Sequence, residues 1–380
     1  MGATGGATAI EYNFRLRAVR APSHRCPLIP VSVDVPTEPS NLNAHNASLA
    51  SPDVARATPQ ATSLLAPVAD DMRAMDALIR ERLHSDVMLV NQVAEYIIGA
   101  GGKRLRPALL LLIAGALDYR GTHRLTLAAV VEFIHTATLL HDDVVDESEL
   151  RRGRQTANAL FGNAASVLVG DFLYSRSFQM MVDVGSLSVM RTLADATNVI
   201  AEGEVLQLLN IHDPDVDEER YMQVIRYKTA KLFEASARLA AILAGCTDEQ
   251  QEPWAEFGRR IGTAFQLIDD VLDYSGVTAE IGKNVGDDLR EGKPTLPLIF
   301  LLERGNAAQK TLVRNTVIDS AHADLASIQA AIDTSGALDY TRAMAAREAD
   351  AARAIARTLP ESDYKRSLLE LCSFAIHRDF

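Results

Sequence analysis

Phe133-Ile134-His135-Thr136-Ala137-Thr138-Leu139-Leu140-His141 runs straight into Asp142-Asp143-Val144-Val145-Asp146, and the apolar run Ile261 to Ile268 ends in the same way at Asp269-Asp270-Val271-Leu272-Asp273. Each cluster reads DDxxD, so its first and last carboxylates stand four residues apart and share one helix face. The apolar run before each cluster predicts that most of its helix is buried. Six carboxylates on two buried helices repel one another and are costly to desolvate unless cations lie between them. Hard oxygen ligands favour Mg²⁺, which takes one or two carboxylates and completes its shell from water and substrate phosphate. One DDxxD carries little weight. A matched pair, with separate basic motifs to hold phosphate, carries much.

Outward from these runs the chain keeps a helical period. Val68, Met72, Met75, Ile79 and Leu83 mark one face. Pro107 suits the first turn of a helix over Ala108 to Leu117, which is apolar nearly all round and so predicted to be buried. Further helices are predicted over Leu125 to Asp146, Ala164 to Val184, Leu187 to Asn210, Glu218 to Ala244, Glu252 to Tyr274, Leu296 to Leu302 and Tyr340 to Thr358. No alternating segment reads as a strand. The expected fold is all-α, a single large helical bundle over residues 61–380 with both Asp motifs on central helices. Residues 1–60 are rich in Pro, Ala, Ser, Thr and Asn and read as a disordered N-terminal extension. Arg15, Arg17, Arg20 and Arg25 weakly favour mitochondrial targeting, but Glu11 and the lack of an amphipathic stripe favour a leader without function or a mis-assigned start.

A hydrophobic content of 48% supports a sizeable core, and a net charge of −12 with no offsetting basic run excludes a nucleic-acid partner. No stretch of about 18 apolar residues predicts a transmembrane segment. Cys26, Cys246 and Cys372 lack metal or CxxC spacing and read as free thiols of a reducing, cytoplasmic compartment.

The cations cluster in a few places. Gly101-Gly102-Lys103-Arg104-Leu105-Arg106-Pro107 sets three of them in a glycine turn before a helix N-terminus, an arrangement suited to a phosphate group. A solvated basic turn is the competing reading. Arg151-Arg152-Gly153-Arg154 follows the first Asp motif and either clamps a diphosphate or simply neutralises the acids nearby. Lys228 and Thr229 fall mid-helix between apolar faces, where a lysine needs an anion. Gln266 faces the same side as Asp269, as a buried amide or a site group. Gly282-Lys283-Asn284-Val285-Gly286-Asp287-Asp288 forms a charged loop beyond the second motif, a lid or a plain turn. No nucleophile, P-loop or GxGxxG motif is present, so the site is built to stabilise charge. Metals and cations there would draw a diphosphate off carbon and leave a carbocation in an apolar channel.

Taken together, GGKRLRP, LLHDDVVDESELRRGRQTAN, GDFL at Gly170 to Leu173, KTAKLF and FQLIDDVLDYSG resemble the trans-polyprenyl diphosphate synthases over residue 65 to the C-terminus. The resemblance implies a Mg²⁺-dependent isoprenoid synthase fold acting on two substrates. Isopentenyl diphosphate would be held by Lys103, Arg106, His135 and Arg152. The allylic diphosphate, farnesyl diphosphate in the first instance, would be held by Arg151, Lys228, Lys283 and Mg²⁺ on Asp142, Asp146 and Asp269. It also implies that Asp143 and Asp270 join the catalytic set, that Thr229 and Gln266 lie near the reacting carbon, and that the chain forms a homodimer.

In the same family a bulky aromatic just before the first motif shortens the product. Here the fifth and fourth positions upstream of Asp142 are Ala137 and Thr138, so a medium or long, octaprenyl-like product serving quinone side chains is expected. A short-chain farnesyl or geranylgeranyl synthase is the alternative. A di-iron site is a rival from another class, because Glu81–His84 and Glu132–His135 have Glu-x-x-His spacing. That reading leaves both Asp motifs unexplained. A non-catalytic partner subunit conflicts with the intact motifs, and a terpene cyclase conflicts with GGKRLRP.

Overall fold

Helix begins where the helical period begins. The computed structural model describes residues 64–99, 101–151, 153–275, 286–322 and 324–377. The N-terminal extension with its boundary near residue 60, Cys26, Arg152 and Lys283 lie outside the described residues. After a short turn, α1 (Ala69–Leu83) buries Met75, Ile79 and Leu83. Helix α2 (Met88–Gly99) leads into the Gly101–Arg104 loop, and α3 (Leu105–Ala116) is enclosed on every side, as its all-round apolarity predicts. Helix α4 (His123–Val145) carries the first Asp motif at its C-terminal end.

The next segment departs from the all-helical expectation. β1 (Leu150–Arg151) pairs antiparallel with β2 (Arg154–Gln155) around Gly153, whose φ is +71°. Two residues per strand are too few for alternation to show in sequence. Then come α5 (Ala157–Phe161), α6 (Asn163–Val184), α7 (Leu187–Asn210) and α8 (Glu218–Ile225), the last two N-capped by Ser186 and Asp217 side chains. Among the described residues, helices α9 (Lys231–Leu243), α10 (Asp248–Ser275), α11 (Asp287–Arg290), α12 (Leu296–Arg304), α13 (Ala307–Ile318), α14 (Leu325–Ser335), α15 (Ala337–Ala356) and α16 (Asp363–Ile376) follow.

The predicted helix over Glu218 to Ala244 is not continuous. Between α8 and α9 the chain makes a π-helical turn, Arg226–Ala230, that contains Lys228 and Thr229. Two neighbouring helices press on this turn. A methyl group on Gly203 of α7 would stand 2.6 Å from the Lys228 backbone nitrogen, and one on Gly262 of α10 would stand 2.6 Å from Ala230 Cα. π-turns tend to occur at functional sites.

Helix α4 lies along α6, while α10 packs between α9 and α15. Behind the first Asp motif the approach is close: Ser166 of α6 donates to the Leu140 carbonyl at 2.8 Å, and a side chain on Gly170 would strike the His141 ring. Both Asp motifs thus sit at the ends of helices whose remaining length is core. Fully buried leucines and phenylalanines such as Leu127, Phe133 and Phe257 each contribute about 1.5–3 kcal/mol to holding them there. Among the described residues, no helix is long and apolar enough to cross a membrane.

Candidate active site

The first motif meets a cation at each of its three aspartates. Asp142 on α4 and Asp146 at its C-cap, four apart, are half-buried. Lys228 Nζ from the π-turn lies 3.5 Å from Asp142 Oδ2 and 2.5 Å from Glu204 Oε2 of α7. Lys293 Nζ lies 3.1 Å from Asp146 Oδ2 and also pairs with Glu291. Asp143 turns away from this pair. It is fully buried, and Arg151 reaches its Oδ1 through Nε at 2.7 Å and Nη2 at 2.6 Å.

Titration follows from this crowding. Burial pushes the Asp142 carboxyl up, and Asp146 adds to the rise while Lys228 opposes it. Burial likewise pushes Glu204 up to about 7, against the pull of Lys228. Burial alone would lower both lysines. Asp142 and Glu204 outweigh it at Lys228, and Asp288, Asp146 and Glu291 outweigh it at Lys293, so both stay charged.

The second motif is spelled alike but partnered differently. Asp269 is exposed and Asp273 half-buried, whereas Asp270 is 2% exposed. Tyr221 of α8 donates to Asp270 Oδ2 at 2.5 Å, and Gln266 Nε2 donates to Asp270 Oδ1 at 2.8 Å. Thr229 in turn donates to Gln266 Oε1 at 2.9 Å. Burial and Asp288 push Asp270 up to about 8, while its two donors pull it down.

The glycine turn before α3 has the shape its sequence calls for. Gly101 and Gly102 take φ of +73° and +144°, values that glycine adopts without strain. Of the three cations, Arg104 is tied to Asp76 at 2.7 Å. Lys103 Nζ lies 5.4 Å from the centre of the Phe374 ring of α16. Arg106 lies over the Phe233 ring at 4.5 Å, with Nη1 3.2 Å from His135 Nε2. Further along α4, Ala137 is fully buried and Thr138 half-buried, with its hydroxyl donating to the His135 carbonyl at 2.8 Å.

The candidate residues therefore gather into sets: Asp142, Asp146 and Lys228; Asp143 with Arg151; Asp270, Gln266 and Thr229; Arg106 with His135. Residues 87–334 match the polyprenyl synthetase family. The chain belongs to that family. As a polyprenyl synthetase it is a transferase of prenyl groups, and its motifs are those of an enzyme rather than a degenerate partner. The chain is 53% identical to the octaprenyl diphosphate synthase of Escherichia coli (strain K12), over 82% of this chain and 97% of that one. It is 46% identical to the geranyl-diphosphate-specific all-trans-nonaprenyl-diphosphate synthase of Rhodobacter capsulatus, over 83% and 97%. Among solved structures, the polyprenyl synthase of Caulobacter crescentus, complexed with calcium and isoprenyl diphosphate, superimposes with a TM-score of 0.81 at 43% identity, covering 84% of this chain and 98% of that one.

Three residues of this polyprenyl synthetase's site escaped the sequence reading. Glu204 stands on a helix whose polar positions give no signal. Tyr221 passes for an ordinary member of an amphipathic face. Lys293 was legible in principle: Gly292-Lys293-Pro294 repeats the glycine–lysine pairing of Gly102-Lys103 and Gly282-Lys283.

The donors fit a hard divalent cation. Among the described residues no three His, Cys, Asp or Glu side chains converge tightly enough to cage a metal by themselves. Carboxylates four apart, faced by lysines across a gap, instead suit an ion that takes few protein ligands and shares substrate oxygens. The di-iron reading finds no support, since Glu81 and His84 are exposed and His135 adjoins Arg106.

Proposed function

We propose that this chain is a Mg²⁺-dependent synthase that extends an allylic primer, farnesyl diphosphate in the first instance, with isopentenyl diphosphate to an octaprenyl-like all-trans product. One observation carries the chemistry. Asp142 and Asp146 face Lys228 and Lys293 across one gap, an alternation of charge that a metal-bound diphosphate can enter by taking the carboxylates through its metal and the lysines through its oxygens.

Asp142, Asp146 and Asp269 would hold Mg²⁺, which supplies charge to the departing diphosphate. Lys228, Arg151 and Lys283 bind the allylic diphosphate, and Lys293, anchored beside Asp146, adds a further cation there. Arg151 is oriented for this by buried Asp143. Lys103, Arg106, His135 and Arg152 hold isopentenyl diphosphate. The allylic C–O bond breaks first, the isopentenyl double bond then attacks the resulting cation, and loss of a proton to the released diphosphate restores an alkene. Thr229 and Gln266 offer oxygen lone pairs to the cation.

Small residues at Ala137 and Thr138 and higher identity to the octaprenyl than to the nonaprenyl relative support the product length. Exposed Leu168, Val182, Leu187, Val205, Leu208 and Leu209 on α6 and α7 support a homodimer that covers them. We place the enzyme in the cytoplasm, serving quinone side-chain synthesis.

The test is product analysis with Mg²⁺, labelled isopentenyl diphosphate and farnesyl diphosphate, resolving the dephosphorylated products by length. A single octaprenyl peak is expected. A peak at geranylgeranyl would overturn the length assignment, and no incorporation would overturn the function. Ala137→Tyr should shorten the product, and an unchanged product would remove Ala137 from any role in length.

A further inference from the structure

Asp270 belongs to a metal-type motif, yet hydrogen-bond donors already occupy both of its oxygens. It is almost wholly buried, one residue from exposed Asp269, and both of its oxygens receive neutral donors. We infer that Tyr221 and Asp270 are positioning residues that fix which end of the Gln266 amide faces Thr229. The inference rests on the prenyl-transfer reading and deepens it.

The argument is one of donors and acceptors. An amide side chain can turn over and exchange its oxygen with its NH₂ group at little cost in shape. An ionised carboxylate can only accept, and a protonated one whose O–H sits on Oδ2 beside Tyr221 still accepts at Oδ1. Asp270 Oδ1 at 2.8 Å therefore selects the NH₂ end of Gln266, four residues earlier on the same face of α10. The opposite setting would bring two acceptors together in a buried place, which is unfavourable. With Nε2 committed to Asp270, Oε1 must face the π-turn, where it takes the Thr229 hydroxyl proton at 2.9 Å. Thr229 then has its oxygen lone pairs left to present.

Orientation matters because of what the reaction generates. Positive charge on an allylic carbon is stabilised by oxygen lone pairs and destabilised by an N–H pointed at it. A Gln266 amide turned over would substitute one for the other. Tyr221 locks the far side. Its hydroxyl, 2.5 Å from Asp270 Oδ2, holds the carboxylate in its rotamer from a different element, α8. Two segments that meet only in the folded chain, α8 with the π-turn that follows it and α10, thus set one dipole.

The test compares Tyr221→Phe and Asp270→Asn with Asp269→Asn and Gln266→Ala. Tyr221→Phe keeps its ring and should fold normally. It is expected to lower kcat about 10-fold, the worth of one strong hydrogen bond, with both KM values changed less than about 2-fold. In a Gln266→Ala background the same change should have no further effect, because the group being aimed is gone. Calorimetric binding of inorganic diphosphate with Mg²⁺ should be unchanged in Tyr221→Phe and Asp270→Asn and weakened in Asp269→Asn. Diphosphate binding lost in Asp270→Asn would make Asp270 a metal ligand and overturn the proposal. So would an undiminished 10-fold effect of Tyr221→Phe in the Gln266→Ala background. A wild-type enzyme that extends no allylic primer would refute the function itself, and is distinguished by failing before any variant is made.

Discussion

At the C-terminal end of α4 three aspartates face three cations, Lys228, Arg151 and Lys293; on α10 the buried aspartate faces a phenol and an amide. The letters of the two motifs are the same. Their chemistry is set by what packs against them: α4 ends between the π-turn and the Lys293 loop, whereas α10 runs past α8. The first motif is matched to positive charge before any substrate arrives, and Asp270 in the second is matched to groups with no charge to exchange.

If that contrast holds, the first motif should be the more sensitive to loss of a cation. Lys228→Met should lower kcat/KM about 10²–10³-fold, the usual cost of removing one charge aimed at a developing anion. Steady-state kinetics with saturating Mg²⁺ would show it, and a loss under about 5-fold would dissolve the contrast. Lys293→Met leaves Asp146 and Glu291 without their cation at side chains 11% and 25% exposed. It should destabilise the metal-free protein by about 3 kcal/mol. Thermal melts should recover much of that loss when Mg²⁺ and diphosphate are added, because the ion replaces the missing charge.

Gly203→Ala sharpens the comparison from behind. A methyl group 2.6 Å from the Lys228 nitrogen must displace the π-turn, at a cost of about 1–3 kcal/mol by denaturant titration. Activity should fall more than stability does, since Lys228 and Thr229 move together. The smallest effect lies outside both motifs. Burial would raise Glu256, but hydrogen bonds from Arg259 and Arg260 win and hold its carboxyl below the usual range. A lowered carboxylate stabilises above its unfolded pKa and stops doing so as pH falls through its folded value. Glu256→Gln should therefore cost under about 1 kcal/mol near neutral pH, and the difference from wild type should vanish in acid once pH has fallen through the lowered folded pKa.

Much of this architecture could be read before folding was considered. The apolar runs before Asp142 and Asp269 place both motifs on buried helices, and spacing alone puts Asp142 and Asp146 on one face. The glycines of Gly101-Gly102 announce the backbone that the turn adopts. What stayed hidden depends on long-range packing. Lys293 meets Asp146 across 147 positions of chain, and Tyr221 meets Asp270 across 49. The different duties of Asp142 and Asp143 were equally hidden, because adjacent helical residues point about 100° apart and only the neighbouring Arg151 decides which one is enclosed. The break at Arg226–Ala230 had no local sequence signal; its packing partners are glycines on two other helices, Gly203 and Gly262.

That break has a consequence for how the molecule is phased. Tyr221, Met222 and Ile225 before it enter one apolar cluster, with Ala264 and Ala345, while Leu232, Phe233 and Ala237 after it enter another, with Leu109 and Phe133. The wide turn takes up one extra residue, roughly a 100° change of phase for an α-helix. One rod can then be read in two registers and serve two interiors that a straight helix would address in turn only by twisting. Lys228 and Thr229 stand at the join, where neither register claims them.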